Sequence, residues 1–239
     1  MQRPALYLLA GLLCDETIWD QQVRSLSTLA TTRAMDFRGF ESIPAMARHV
    51  LANAPVTFSL AGHSMGARVA LEVARIAPER VERLALMDTG IHPVQPGEAV
   101  KRQELIDLAN RHGMAALAAR WLPPMLHPDH LAGSTLLPIL TSMVERMTPA
   151  IFAGQVRALL DRPDATEMLP GLRCPVLIGV GREDAWSPPE QHHFMAQRIP
   201  DARLVIFENS GHMAPLEAPD VVSSAMASWL ATPTERHRI

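Results

Sequence analysis

The sequence predicts an α/β fold in which a mostly parallel sheet is flanked by helices on both faces. Short apolar runs alternate along the chain with stretches of helical periodicity, which is the pattern of βαβ units. The apolar runs are continuous, as expected for strands that are covered by helices on both faces. The chain has 239 residues, 48% of them hydrophobic and 20% charged, which is enough to bury one large core.

Six apolar runs are candidate strands, five of them clear and one weaker. The clear runs are Ala5–Leu13, Val56–Ala61, Val81–Met87, Pro175–Val180 and Arg203–Phe207, and the weaker one is Thr32–Phe37. The first run is too short to span a bilayer, and no Ala-x-Ala cleavage site follows it. We therefore interpret it as the first buried strand.

Helical periodicity predicts helices between these strands. Ser42 is a candidate N-cap, and Pro44 suits the first turn of a helix that ends near Ala54. Further helices are predicted over Ser64–Ala77, Pro189–Ile199 and Pro219–Leu230.

Residues 91–172 interrupt this alternation. They contain no convincing strand, and their helical stretches cover residues 101–120, 135–147 and 149–160. An insertion of helices between two strands is typical of a lid above the strand ends. The sequence therefore predicts a core domain formed by residues 1–90 and 173–239, and a helical cap formed by residues 91–172.

Charge and cysteine content exclude several classes of partner. The formal net charge is −3, and no clustered basic face predicts a nucleic-acid partner. No run is long enough to predict a membrane span. Two isolated cysteines, Cys14 and Cys174, suit a reducing cytoplasm. The oligomeric state stays open.

No metal or other cofactor is predicted. The pairs formed by His127 with His130 and by His192 with His193 lack further ligands at metal spacing. Their sequence contexts are polar, so we expect these four side chains to be solvated. The motifs H-E-x-x-H and C-x-x-C are absent from the sequence.

The strongest chemical signal is the motif Gly62-His63-Ser64-Met65-Gly66 between a predicted strand and a predicted helix. A serine on such a tight turn projects its hydroxyl above the sheet at a helix N-terminus, and the flanking glycines relieve crowding of the backbone. Ser64 is therefore a candidate nucleophile.

A serine nucleophile needs a base and an orienting carboxylate. His212 is the best candidate base, since it follows the run Arg203–Phe207 at a strand end, whereas His63 is expected to have at most a supporting role. Asp184 and Asp88 both follow strands and precede His212 in sequence. We favour Asp184 because its strand directly precedes the strand of the histidine.

These segments together resemble the α/β-hydrolase family over essentially the whole chain. The matching segments are Ala10-Gly11-Leu12-Leu13 with Trp19, Asp36-Phe37-Arg38-Gly39, Gly62–Gly66, Gly181-Arg182-Glu183-Asp184, and Gly211-His212-Met213 with Pro215-Leu216-Glu217. The resemblance implies an oxyanion hole made by the backbone N–H groups of Leu12 and Met65. The early loop departs from the usual His-Gly by having Ala10-Gly11, a change that retains the backbone donor.

The expected function is that of a carboxylesterase-like serine hydrolase. Its substrate would be a small-molecule ester with a small to medium uncharged acyl group, cleaved by Ser64, His212 and Asp184 through an acyl-enzyme. The expected apolar pocket contains the side chains of Trp121, Met125, Trp186 and Met213.

Several alternatives use the same three catalytic residues. Lactone, thioester or C–C bond hydrolysis is compatible with them, as is cleavage of a methyl ester on an acyl-carrier protein. The last activity calls for a basic lid, but residues 91–172 carry Lys101 and six arginines against eight acidic residues. A ligand receptor on the same fold, without catalysis, is the alternative from another functional class.

Overall fold

A computed structural model describes residues 3–131 and 134–234. Within them lie the strands β1 (Ala5–Leu9), β2 (Thr31–Met35), β3 (Phe58–His63), β4 (Val81–Met87), β5 (Val176–Gly181) and β6 (Arg203–Phe207). They form one six-stranded sheet in the order β2-β1-β3-β4-β5-β6, and every pairing is parallel. The predicted parallel α/β fold is confirmed.

The helices lie between the strands and after the last one. They are α1 (Asp20–Ser25), α2 (Ile43–Asn53), α3 (Met65–Ile76), α4 (Glu98–Trp121), α5 (Leu136–Glu145), α6 (Pro149–Leu160), α7 (Pro189–Ala196), α8 (Ala214–Glu217) and α9 (Pro219–Leu230). Helix α2 packs against α3, while α1 packs against α9, so helices cover the sheet. Strands β3 and β5 are buried along their whole lengths, in agreement with their continuous apolar sequences.

The first strand is shorter than the sequence predicts. It ends at Leu9 and not at Leu13, because the chain turns after Ala10. Leu13 has a φ of 56°, and the N–H of Cys14 donates to the carbonyl of Gly11 at 3.2 Å. An apolar sequence therefore continues into a buried turn, and hydrophobicity alone does not reveal where the strand stops.

The chain between β4 and β5 is helical, without a strand in the part of it that the structure describes. It contains α4, α5 and α6. Helix α4 is longer than the predicted span 101–120 and is broken at Gly113, whose φ of 81° is not helical. Within the described ranges, no helix is both long enough and apolar enough to cross a membrane.

The strand order places four polar residues at one edge of the sheet. Ser64, Asp88 and Asp184 lie at or shortly after the carboxyl ends of β3, β4 and β5, and His212 follows β6. These strands are parallel and adjacent, so their carboxyl ends meet at the same edge.

Candidate active site

Ser64 lies on the sharp turn between β3 and α3. Its φ of 52° and ψ of −115° are rarely adopted by residues other than glycine. A Cβ atom at Gly62 would lie 2.4 Å from the backbone of Gly66, and a Cβ atom at Gly66 would lie 2.3 Å from the carbonyl oxygen of Leu9. Both glycines are therefore required by close backbone packing beneath the serine.

His212 bridges Ser64 and Asp184. Its Nε2 lies 2.9 Å from the Oγ of Ser64, and its Nδ1 lies 2.8 Å from Oδ2 of Asp184. In the neutral ring Nδ1–H donates to the carboxylate, which leaves Nε2 free to accept the proton of the serine hydroxyl. The structure thus brings together the three residues that the sequence predicts as nucleophile, base and acid.

The carboxylate of Asp184 is held in a dense set of hydrogen bonds. The N–H groups of Trp186 and Ser187 donate to Oδ1 at 2.8 and 2.9 Å, and the Ser187 hydroxyl donates to Oδ2 at 2.8 Å. Burial opposes ionisation, but the charge and hydrogen bond of His212, with the bonds from Ser187, lower the pKa of Asp184 to about 2. Asp184 therefore stays ionised beside the imidazole.

Ser187 is a residue of this site that the sequence does not predict. Its hydroxyl also lies 3.4 Å from Nδ1 of His212, so it contacts both partners of the acid–base pair. The only signal in the sequence is a serine three residues after Asp184, a spacing at which an aspartate caps the following turn.

Asp88 lies close to the site but does not contact the ring of His212. It accepts hydrogen bonds from the N–H groups of Gly181 at 3.0 Å and Ala214 at 3.2 Å. Burial and the neighbouring charge of Asp184 raise the pKa of Asp88 well above the usual range of a carboxyl group. Of the two candidate acids, the geometry brings Asp184 to the histidine.

His63 is buried and contacts the loop that carries His212. Its Nε2 donates to the carbonyl oxygen of His212 at 2.7 Å. Burial, followed by the charge of the His212 ring, lowers the pKa of His63 to about 3, so the ring is neutral. It contacts the backbone of His212, which agrees with the supporting role that the sequence suggests.

Glu217 connects the His212 loop with the helical segment between β4 and β5. Its Oε1 accepts from the N–H groups of Gly211 at 2.9 Å and Met213 at 3.1 Å. Its Oε2 accepts from the N–H of His127 at 2.7 Å and from Nδ1 of His130 at 2.9 Å. The sequence motif contained Glu217 but did not reveal that one carboxylate serves both segments.

Leu12 and Met65 are the two residues whose backbone N–H groups are expected to form an oxyanion hole. Both residues line the cavity at the serine. Among the hydrogen bonds of the described residues, none uses either of these two N–H groups. The first lies in the loop after β1 and the second at the start of α3, where a helix leaves its first donors unpaired.

A cavity of about 310 Å³ opens at Ser64 and His212. Trp121 and Trp186 line it, while Met125 and Met213 line a smaller adjoining cavity of about 40 Å³. All four predicted pocket residues therefore lie around the serine. Charged side chains that the sequence does not predict also line the larger cavity, namely Arg68, Glu98, Lys101, Arg102 and Arg162.

The prediction of solvated histidines is correct only in part. His193 is exposed, but the ring of His192 is fully buried. Its Nε2 accepts from the N–H of Thr89 at 2.9 Å, and its Nδ1 donates to the carbonyl of Pro188 at 3.2 Å. The polar sequence around His192 concealed this role, because α7 turns that side chain towards the sheet.

His127 and His130 are also partly buried, with 13% and 26% of their side chains exposed, because both contact Glu217 or its neighbours. Among the residues that the structure describes, no group of three or more His, Cys, Asp or Glu side chains is arranged to hold a metal ion.

The chain is similar to known proteins along most of its length. Residues 6–225 match the alpha/beta hydrolase family. The chain is 27% identical over 234 residues to the pimeloyl-(acyl-carrier protein) methyl ester esterase of Nitrosomonas europaea, with 91% of this chain and 92% of that protein covered.

Two solved structures are similar along almost the whole chain. A thermophilic esterase from Thermogutta terrifontis in a malate-bound structure has a TM-score of 0.86 at 28% identity, covering 96% of this chain and 90% of that one. The enol-lactonase from Burkholderia xenovorans has a TM-score of 0.89 at 24% identity, covering 97% and 93%. The second likeness shows the fold.

Proposed function

Because this chain belongs to the alpha/beta hydrolase family, we propose that it is a serine hydrolase that cleaves small-molecule carboxylic esters through an acyl-enzyme. One observation carries the proposal. The Oγ of Ser64, the ring of His212 and the carboxylate of Asp184 are joined by hydrogen bonds of 2.9 and 2.8 Å at the wall of a cavity.

In the first half-reaction, Oγ of Ser64 attacks the ester carbonyl carbon while Nε2 of His212 takes the hydroxyl proton. Asp184 stabilises the imidazolium that forms, and the N–H groups of Leu12 and Met65 donate to the oxyanion. The tetrahedral intermediate then expels the alcohol, which receives the proton from His212. A covalent acyl-serine remains.

In the second half-reaction, water takes the place of the alcohol. His212 accepts a proton from the water as its oxygen attacks the acyl carbon. Collapse of the second tetrahedral intermediate returns the proton to Oγ of Ser64 and releases the carboxylic acid. No step requires a cofactor.

Residues 91–172 would serve as a cap over this site. Support comes from side chains of α4 and α6 that line the catalytic cavity, among them Leu105, Trp121, Phe152 and Leu159. The hydrogen bonds of Glu217 to His127 and His130 tie the same segment to the His212 loop.

Ester cleavage is favoured over the other reactions by the relatives. Both the Nitrosomonas protein and the Thermogutta protein are named as esterases. The name of the Nitrosomonas protein also keeps cleavage of a methyl ester on a carrier protein as the second candidate. The segment 91–172 has no excess of positive charge that would favour docking of an acidic carrier.

The test combines covalent labelling with turnover. A fluorophosphonate probe should label the protein at Ser64, and the protein should hydrolyse p-nitrophenyl esters. Ser64→Ala should lose both properties, while Ser142→Ala, an exposed serine of α5, should keep both. Equal turnover by the wild type and Ser64→Ala would refute the proposal. Absence of labelling and turnover in a folded wild type would favour a receptor.

A further inference from the structure

Arg68 lies one helical turn after the candidate nucleophile. Its backbone N–H bonds to the carbonyl of Ser64 at 3.4 Å, so both residues occupy the same face at the start of α3. The Arg68 side chain lines the cavity that opens at Ser64. A cation therefore lines the same cavity as the reacting hydroxyl.

The three arginines of the cavity have different partners. The carboxylate of Glu98 accepts hydrogen bonds from both Nη atoms of Arg162, at 2.8 and 2.7 Å. It also accepts one from Nε of Arg102 at 2.8 Å. Arg68 donates from Nη1 to the carbonyl oxygen of His92 at 3.1 Å. Within the part of the chain that the structure describes, it forms no ion pair. One carboxylate thus serves two arginines, and the third keeps an unbalanced charge.

The surroundings of Arg68 disfavour its positive charge. Burial, followed by the charge of Arg162, lowers the pKa of the Arg68 guanidinium to about 9. Arg102 acts in the same direction, while Glu98 and the exposed Asp164 counteract it only in part. An anion bound beside Arg68 would relieve this unfavourable interaction.

The Arg68 guanidinium and two other polar side-chain ends lie close around Gly90. A Cβ atom at Gly90 would lie 3.3 Å from Nη2 of Arg68, 3.3 Å from Nε2 of His92 and 2.6 Å from Oε1 of Gln191. Three polar side-chain ends therefore surround the position where Gly90 has no side chain. Gln191 and Gly90 also line the catalytic cavity.

We propose that Arg68 binds a carboxylate group of the substrate, so that the natural ester is a half-ester or related compound with a free carboxylate. This inference rests on the proposed function. It replaces the uncharged acyl group expected from the sequence with an anionic one. The planar guanidinium suits two parallel hydrogen bonds to a carboxylate.

The proposal also explains the mixed lining of the cavity. Apolar side chains such as Leu105 and Phe152 would contact the carbon chain of the substrate, and Arg68 would bind its charged end. A carboxylate fits better than a phosphate, because Glu98 already neutralises part of the nearby positive charge.

The experiment compares two p-nitrophenyl esters of glutaric acid, one with a free carboxylate and one with that group methylated. The wild type should have the higher kcat/KM for the free acid by roughly ten- to hundredfold, the range of a charged hydrogen bond. Arg68→Met should bring the ratio of the two kcat/KM values close to one, mainly through KM. Arg68→Lys should retain part of the preference for the free acid.

The ratio is measured on a single preparation, so partial misfolding of a variant does not affect it. Arg111→Met serves as the matched control, since Arg111 is an exposed arginine of α4 that pairs with Asp107. It should keep the wild-type ratio. Gly90→Ala should lower the ratio by crowding the guanidinium while leaving the arginine in place.

Two results would overturn the proposal: no preference of the wild type for the free acid, or a preference that survives Arg68→Met. If neither ester is hydrolysed, ester cleavage fails separately, and calorimetric titration of Ser64→Ala with glutarate decides on the carboxylate site. Glutarate binding to Ser64→Ala that is lost in the double variant with Ser64→Ala and Arg68→Met supports the carboxylate site. Absence of binding, or tighter binding of inorganic phosphate, refutes it.

Discussion

Glu217 accepts a hydrogen bond from the backbone N–H of His127 at 2.7 Å and so ties the helical segment between β4 and β5 to the loop that carries His212. The side chain is fully buried, and its other oxygen holds the N–H groups on either side of His212. One carboxylate therefore fixes the position of the candidate base relative to that segment.

Replacement of Glu217 by glutamine should reduce both stability and activity. A glutamine presents NH₂ where one carboxylate oxygen now accepts, so at least one buried N–H loses its partner. Such a loss costs about 1–3 kcal/mol. We expect a lower midpoint in thermal unfolding and a fall in kcat. Glu145→Gln, at an exposed site of α5, should behave like the wild type, and equal effects of the two changes would contradict this role.

The two carboxylates near the histidine should differ in their effect on turnover. Asp184→Asn should lower kcat by a factor on the order of 10³–10⁴, because the amide no longer favours the tautomer and the charge that His212 needs. Asp88→Asn should lower kcat by less than about tenfold, since Asp88 bonds to the backbone of Gly181 and Ala214. Steady-state kinetics with one ester measures kcat for both variants. A larger fall in kcat for Asp88→Asn than for Asp184→Asn would assign the role of the acid to Asp88.

The glycines of the serine turn should tolerate no side chain. In Gly66→Ala the new Cβ would lie 2.3 Å from the carbonyl oxygen of Leu9, a backbone atom that cannot move aside. We expect a loss of at least about 1–3 kcal/mol in the free energy of unfolding, or failure to fold. Gly171→Ala is the control, because a Cβ there meets no atom within 4 Å. Chemical denaturation of both variants measures the difference.

Acid should remove the contribution of Glu98 to stability. Burial raises the pKa of this carboxyl, but hydrogen bonds from Arg162, from the N–H of Gln95 and from Arg102 outweigh burial and lower it from 4.5 to about 2. The stabilisation is thus fully present above pH 4.5 and is lost as the pH falls towards about 2.

The expected result is that Glu98→Gln lowers the thermal midpoint at neutral pH and that this difference shrinks as the pH falls below 4.5. Glu104→Gln, at an exposed position of the same helix, provides the control. A difference that stays constant through the acid range would show that the ion pairs of Glu98 contribute nothing to it.

The sequence alone predicts the approximate strand positions and the helical nature of the segment between β4 and β5. It also predicts the candidate site residues Ser64, His212 and Asp184. These features are predictable because their signals are local. A continuous apolar run predicts a strand, and a serine between two glycines at a strand-to-helix boundary predicts a strained turn. The strand end at Leu9, the break at Gly113 and the burial of His192 lacked such signals.

Only the tertiary structure shows that Asp184, and not Asp88, lies against the ring of His212. Both residues follow neighbouring parallel strands, and only the path of the following loop brings one carboxylate to the histidine. The tertiary structure likewise revealed Ser187, Glu217 and Arg68, whose roles depend on contacts between distant segments. The charge of Arg68 is unbalanced only because Glu98 lies closer to Arg102 and Arg162, a relationship that no local pattern in the sequence encodes.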